Sequence, residues 1–119
     1  MRGNYILAEN GDPIACSDTG VWGRWFVTAD RTVARTERGE GVRSLWTVST
    51  VFLGIDHNFG PTGDPVLWET LIFGGEHDGE GARYTSLAAA RAGHEIWVLV
   101  AEGKTTPDAV REMEEGLNG

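Results

Sequence analysis

The sequence predicts an α+β domain: an antiparallel sheet of four or five strands in a meander, packed by one long helix, with a short N-terminal helix and a C-terminal helix. Two observations favour this class. Short segments rich in β-branched and aromatic residues follow one another between residues 5 and 84, separated by turn signals. After residue 84, apolar residues recur at helical spacing behind capping residues.

The first 30 residues predict a small hairpin and a short helix. Residues 5–8 are a strand candidate, the turn signal Asn-Gly-Asp-Pro follows at 10–13, and residues 14–16 complete the hairpin. Asp18 can cap a helical segment over residues 21–29, whose apolar residues recur at helical spacing. Glycines weaken this segment, so we expect only one or two turns.

Residues 30–37 alternate in a way that is typical of a strand with one side facing water. The sequence Arg-Gly-Glu-Gly at 38–41 then supplies a turn. From 42 to 55, β-branched and aromatic residues indicate a longer strand. We expect these two strands to pair as part of a meander.

The segment from 48 to 75 reads as a central hairpin. Its loop, residues 57–65, contains two glycines and two prolines, which end both flanking strands. Residues 66–73 form the most apolar strand candidate, and residues 82–84 are a possible edge strand.

Two helices are predicted at the C-terminal side. Thr85 or Ser86 can cap a helix that runs to about residue 100, and Gly93 allows close packing. The residues predicted to share one face are Leu87, Arg91, His94, Val98 and Ala101. A second helix begins at 107. We interpret residues 1–119 as one domain in which residues 103–119 form a terminal helical extension.

Composition excludes several classes of protein. The net charge of −8 opposes binding to duplex nucleic acid. Cys16 is the single cysteine, which excludes an internal disulfide and fits a reducing cytoplasm. No apolar run approaches the roughly 20 residues of a membrane span. We therefore expect a cytoplasmic protein with no membrane contact and no cofactor.

Polar side chains at the ends of the central hairpin predict a possible site. Asp56 and His57 end one strand, while Trp68 and Glu69 lie in its partner, so a tight hairpin would bring them within reach of one another. Arginines of the preceding strand could add anion pairing to stacking on an indole. The predicted ligand-binding residues are Arg31, Arg35, Asp56, His57, Trp68 and Glu69.

Structural roles are the alternatives for the same residues. Asp56 could cap the turn and His57 could pack beside Phe59. Glu69 could be a partly buried carboxylate paired with an arginine such as Arg35. His94 on the predicted helix is more typical of a hydrogen-bonded core histidine than of a ligand.

The familiar catalytic motifs are absent. The sequence contains no GxxxxGK[ST], GxGxxG, GxSxG, HExxH or CxxC. We therefore identify no catalytic residue and no metal site with an established motif, and the pattern favours a non-enzymatic protein.

Four ordered blocks carry a family resemblance: WGRWFVTADRTVART, VSTVFLGIDHNFG, PVLWETLIFGG and RYTSLAAARAGHE. They resemble a family of small uncharacterised proteins encoded by tailed bacteriophages and prophages, especially of actinobacteria, over residues 5–98. The segment LVAEGKTTPDAVREMEEGLNG departs from the usual pattern of the family. The resemblance implies a phage-encoded accessory protein, and it implies no catalytic residue.

Three functions follow as hypotheses. The first is a non-enzymatic phage-type accessory protein that binds a small ligand, such as a nucleotide signal of host immunity, or a host protein. The second is a metal-dependent hydrolase that uses Asp56, His57 and Glu69, with His77 as a further ligand. The third is a virion structural or assembly protein. A terminal helix suited to self-association predicts a homo-oligomer.

Overall fold

A computed structural model of the chain describes residues 3–38 and 45–118. The predicted α+β class is confirmed. The elements in chain order are β1 (Tyr5–Leu7), β2 (Pro13–Ala15), α1 (Thr19–Thr28), β3 (Thr32–Arg38), β4 (Trp46–Phe52), β5 (Trp68–Phe73), β6 (Gly81–Tyr84), α2 (Leu87–Ala101) and α3 (Pro107–Asn118). β1 and β2 form a separate hairpin, and β3 to β6 form the predicted antiparallel meander.

Side-chain caps fix where the helices begin. Asp18 Oδ1 accepts hydrogen bonds from the backbone of Gly20 and Val21, at 3.0 and 3.1 Å. Ser86 Oγ accepts one from Ala89 at 3.1 Å. These bonds satisfy donors that the first turn of a helix leaves free, as the sequence predicts. Within the described part of the chain, no helix is both long and apolar enough to cross a bilayer.

The two faces of the main sheet differ. Alternate residues of β4 and β5 are buried on the face that α2 covers, and the residues between them remain partly exposed on the other face. The buried set is Trp46, Val48, Thr50, Phe52, Trp68, Thr70 and Ile72. Most of the predicted turn at 38–41 lies outside the described residues.

α2 buries a different side from the one that the sequence predicts. His94 is buried as expected, but the buried side runs through Ala90, Gly93, Trp97 and Val100. Leu87, Val98 and Ala101 lie only at its margins, where they are partly exposed, and Arg91 is exposed. The small residues Ala90 and Gly93 let the helix approach the sheet closely, and a pattern of large apolar residues does not reveal them.

Gly93 makes room for Tyr84 of β6. A Cβ atom at position 93 would lie 2.2 Å from the Tyr84 hydroxyl oxygen. No side chain fits at that distance, so the predicted close packing at Gly93 is confirmed.

We expect Gly93→Ala to lower the free energy of unfolding by roughly 1–3 kcal/mol because the added methyl group overpacks the contact with Tyr84. Gly23 of α1 is the matched control, since a Cβ there meets no atom within 4 Å. Gly23→Ala should stabilise the protein by up to about 1 kcal/mol through helix propensity. Urea unfolding measures the change in the free energy of unfolding for each variant. Changes of the same sign in Gly93→Ala and Gly23→Ala would contradict this account of Gly93.

Candidate functional site

Asp56 and His57 organise the loop that follows β4. Asp56 is 1% exposed, and its Oδ1 accepts hydrogen bonds from the backbone of Asn58 at 2.8 Å and Val66 at 2.9 Å. His57 Nδ1 lies 2.7 Å from the Ile55 carbonyl oxygen, to which it donates. The His57 ring also packs beside Phe59, with centroids 5.8 Å apart. The structural interpretation of both residues is confirmed.

Trp68 and Glu69 are neighbours in β5 and therefore lie on opposite faces of the sheet. Trp68 is buried beneath α2, with its ring centroid 5.6 Å from that of Phe52. Glu69 lies on the other face, where its Oε2 accepts a hydrogen bond from Arg83 Nε at 2.8 Å. The partner is Arg83 rather than Arg35 because Arg83 is the cross-strand neighbour of Glu69 on β6.

The two predicted arginines occupy different surroundings. Arg31 lies 3.9 Å from the Phe26 ring centroid and donates a hydrogen bond to the Phe52 carbonyl at 2.9 Å. Arg35 is exposed and pairs with Glu37, with 2.8 Å between Nε and Oε1. The structure thus distributes the six predicted ligand-binding residues over a loop, the core and the exposed face. Their ligand-binding role stays a prediction.

The hydrolase hypothesis requires several metal ligands to meet. Among residues 3–38 and 45–118, no three side chains of His, Cys, Asp or Glu are arranged to hold a metal ion. Asp56 is engaged in its own loop, and Glu69 is paired with Arg83. The geometry therefore gives this hypothesis no support.

A buried chain of hydrogen bonds crosses the sheet beneath α2. His94 Nε2 lies 2.9 Å from the Thr36 hydroxyl, and His94 Nδ1 lies 2.7 Å from the Thr50 hydroxyl. Thr50 is 2.6 Å from Thr70, to which Tyr84 donates at 3.0 Å. One residue from each strand thus joins the helix in a single polar chain, here called the polar ladder.

Donor counting gives the polar ladder a direction. Because Tyr84 donates to Thr70, the two fully buried threonine hydroxyls can each donate once if Thr70 donates to Thr50 and Thr50 donates to Nδ1 of His94. The one hydroxyl proton left over is then that of Thr36, which is only half-buried. His94 then carries its proton on Nε2 and donates to Thr36. The opposite direction would make Thr70 accept from both neighbours, and its own proton would need a further acceptor.

Burial sets the protonation of the two titratable groups in the polar ladder. Desolvation lowers the pKa of His94 below its usual value, and the nearby Glu95 carboxylate opposes this effect. Desolvation also raises the pKa of Tyr84, to about 12. Both side chains are therefore neutral near pH 7, which suits a structural network.

A cavity lies at the opposite end of the sheet from the Asp56 loop. Its volume is about 460 Å³, and its described lining residues are Arg38, Trp46, Gly75, Glu76, Ala101, Glu102 and Lys104. A second recess of about 320 Å³ shares Arg38 and Trp46 with it. Sequence reasoning missed this region because its residues come from four separate segments. The one signal in the sequence is the tryptophan that begins β4.

Two cations meet one carboxylate at this cavity. Glu102 Oε2 lies 3.7 Å from Arg38 Nη1 and 3.5 Å from Lys104 Nζ. Gly103, in the left-handed region at φ +78°, ends α2 and reverses the chain. The Lys104 amide then donates to the Leu99 carbonyl at 2.9 Å, which places Lys104 beside Glu102.

Comparisons with known proteins add no functional assignment to this geometry. No protein-family model, curated protein or solved structure matches the chain. The resemblance to the phage family therefore stays a prediction from the sequence blocks.

The polar ladder predicts a loss of stability in acid. Because the pKa of folded His94 lies below the unfolded value of about 6.5, the unfolded chain binds the proton more readily. The contribution of neutral His94 to the free energy of unfolding is therefore complete above about pH 6.5, the unfolded pKa. It is lost as the pH falls toward the pKa of the folded state. Chemical unfolding between pH 7.5 and 5 measures this decline.

His94→Gln is the informative variant. Its free energy of unfolding should be lower by roughly 1–3 kcal/mol at pH 7, because buried hydrogen bonds are broken. As the pH falls, however, its free energy of unfolding should decline less steeply than that of the parent protein. His77→Gln, in the loop before β6, is the control and should keep the parent slope. An unchanged slope in His94→Gln would contradict the prediction.

Proposed function

We propose that the protein is a non-enzymatic accessory protein of the phage type that binds a small ligand in the cavity at the C-terminal end of α2. The single observation that supports this proposal best is the meeting of Arg38 and Lys104 at one carboxylate beside the Trp46 indole. The cavity volume of about 460 Å³ falls within the usual range of ligand sites.

The charges of the cavity favour a ligand with an anionic group. One carboxylate, Glu102, lies between two cations at distances of 3.5 and 3.7 Å, so both cations keep hydrogen-bond donors for another partner. Among the described lining residues, Arg38 and Lys104 balance the charges of Glu76 and Glu102, in a chain of net charge −8. A phosphate or carboxylate meets less repulsion here than over the rest of the surface.

The walls suit a flat apolar group attached to that anion. Trp46 lines the cavity with the 8% of its surface that stays exposed, and the small residues Gly75 and Ala101 line it as well. Gly75 has φ +75°, and a Cβ there would lie 3.4 Å from the Trp46 Cβ, so the chain passes close to the indole. A nucleotide combines the ring and the anion that this arrangement accommodates.

The same lining argues for binding without turnover. Its described residues include no His, Cys, Ser, Thr, Tyr or Asp, and of the remaining groups that could act as a base or nucleophile, Glu102 and Lys104 are paired with each other at 3.5 Å, which leaves Glu76. Sequestration of a ligand needs affinity and shape alone. This role agrees with the accessory function that the family resemblance implies.

Calorimetric titration tests the proposal with three probes: adenosine monophosphate, a cyclic dinucleotide and inorganic phosphate. We expect at least one nucleotide to bind more tightly than phosphate alone. Arg38→Gln should weaken that binding by about 10- to 100-fold, because hydrogen bonds to charged groups are worth about 1.5–3 kcal/mol.

Arg83→Gln is the matched control, since Arg83 also pairs with a glutamate, Glu69, but lies on the other face of the sheet. It should leave the affinity unchanged. Absence of binding by all three probes, or equal loss in both variants, would contradict the proposed site. Consumption of a bound nucleotide would contradict the non-enzymatic role.

A further inference from the structure

Glu102 lies at the end of α2, where the helix itself disfavours a carboxylate. It is the C-terminal cap, with φ −76° and ψ −6°, and its amide donates to the Val98 carbonyl at 2.9 Å. The free carbonyl groups at this end carry a partial negative charge, which favours a cation and repels an anion. The last turn of α2 holds no basic residue that would offset this repulsion. The charges that stabilise the Glu102 carboxylate therefore come from outside α2.

Arg38 and Lys104 supply those charges from two other segments. The same oxygen of Glu102, Oε2, lies 3.7 Å from Arg38 Nη1 and 3.5 Å from Lys104 Nζ. The Glu102 side chain is 21% exposed, whereas those of Arg38 and Lys104 are 57% and 64% exposed. The carboxylate is thus the most enclosed charge of this group, here called the charge triad. All three residues line the cavity of the proposed ligand site.

We propose that Glu102 sets the specificity of the cavity by acting as an internal anion that already engages both cations. The cavity then accepts an anionic group with one negative charge and discriminates against a group with two. Among phosphate groups, a phosphodiester carries one charge, whereas a monoester carries about 1.5 to 2 near pH 7. This specificity rests on the proposed function, since it concerns the ligand of the same site.

The charge count of the triad supports a ligand with a single charge. Arg38 and Lys104 carry two positive charges, and Glu102 balances one of them. A ligand with one negative charge therefore makes the group neutral. A second negative charge finds no cation of the triad left to balance it, and Glu76 lines the same cavity with a further carboxylate. The net charge of −8 on the whole chain adds to this repulsion.

The backbone holds the Glu102 carboxylate at the cavity. The amides of Glu102, Gly103 and Lys104 donate in succession to carbonyl groups of α2, each at 2.9 Å. Three successive amides are therefore paired, and they fix this turn to the end of the helix. A ligand that enters the cavity meets Glu102 at a defined position.

The ion pairs of the triad are long enough for a ligand to share the cations. Both distances, 3.5 and 3.7 Å, exceed the roughly 2.7–2.9 Å of a charge-assisted hydrogen bond. Both cations are more than half exposed, and exposed ion pairs contribute little to stability. Each cation thus has donors that can turn toward a ligand while Glu102 keeps its position.

Calorimetric titration at pH 7.5 and low salt tests the proposal with adenosine 5′-monophosphate and its methyl phosphodiester. The two probes share the adenosine, and they differ in one methyl group and in the charge of the phosphate. We expect the parent protein to bind the diester at least about fivefold more tightly, because two unit charges about 4 Å apart change an affinity by this factor in water.

Glu102→Gln should remove this preference. Loss of the carboxylate should strengthen binding of the diester by about fivefold and of the monoester by about 25-fold, since the Coulomb energy scales with the charge of the ligand. The ratio of the two affinities should therefore fall by about fivefold. The methyl group does not affect this comparison, because it is present in the parent and in the variant titrations alike. Glu102→Ala removes the same charge and should give the same ratio.

Two further variants test whether the effect belongs to Glu102. Glu9→Gln removes a charge from the exposed turn between β1 and β2. This hairpin lies at the other end of the main sheet, where the Tyr5 amide donates to the Gly54 carbonyl, so the ratio should stay unchanged. Glu76→Gln removes a lining carboxylate that is not part of the charge triad, and it should lower the ratio by less than Glu102→Gln does.

The possible failures of this proposal and of the ligand site are distinct. A parent protein that prefers the monoester, or a ratio that stays unchanged in Glu102→Gln, would overturn the role of Glu102 and leave the ligand site in place. A larger fall of the ratio in Glu76→Gln would also overturn it, because the discrimination would then come from the other carboxylate. Absence of binding of both probes by the parent protein and by every variant would refute the ligand site itself, and the specificity with it.

Discussion

The polar ladder is the interaction on which the rest of the architecture depends. His94 has two ring nitrogens, and each meets a threonine hydroxyl of a different strand, so the imidazole fixes the rotation of α2 over the sheet. Thr70 and Tyr84 extend the same chain to the other two strands. A buried polar network must be satisfied in full, because each unpaired group costs about 1–3 kcal/mol. The network therefore specifies one register and one helix position.

Because α2 packs on one face of the main sheet, the other face and the two ends of the sheet remain available for binding. At one end, backbone groups of the loop after β4 donate hydrogen bonds to the Asp56 carboxylate. At the other end, the reversal at Gly103 and the close passage of Gly75 by Trp46 shape a cavity that two cations border. On the face of the main sheet opposite α2, the ion pairs Arg35–Glu37 and Glu69–Arg83 lie around apolar side chains such as Phe73.

The sequence predicted the order of the elements because local signals set it. Asp18 and Ser86 cap helices, and Gly103 ends one, through contacts within a few residues. The sequence did not predict which charges meet, since Glu69 finds Arg83 across a strand pair rather than Arg35. It also could not show that Arg38, Trp46 and Lys104 line one cavity, because strand pairing and the end of α2 bring them together. Alternation predicts that Trp68 and Glu69 diverge, and this rule argues against a site that includes both.

Nitrogen-15 NMR of the His94 ring tests the central claim most directly. The chemical shifts of Nδ1 and Nε2 at pH 7 identify which nitrogen carries the proton. The polar ladder predicts a neutral ring with the proton on Nε2, in slow exchange with water, and with Nδ1 accepting from Thr50. A proton on Nδ1, or a doubly protonated ring at that pH, would contradict both the direction of the ladder and its role in fixing α2.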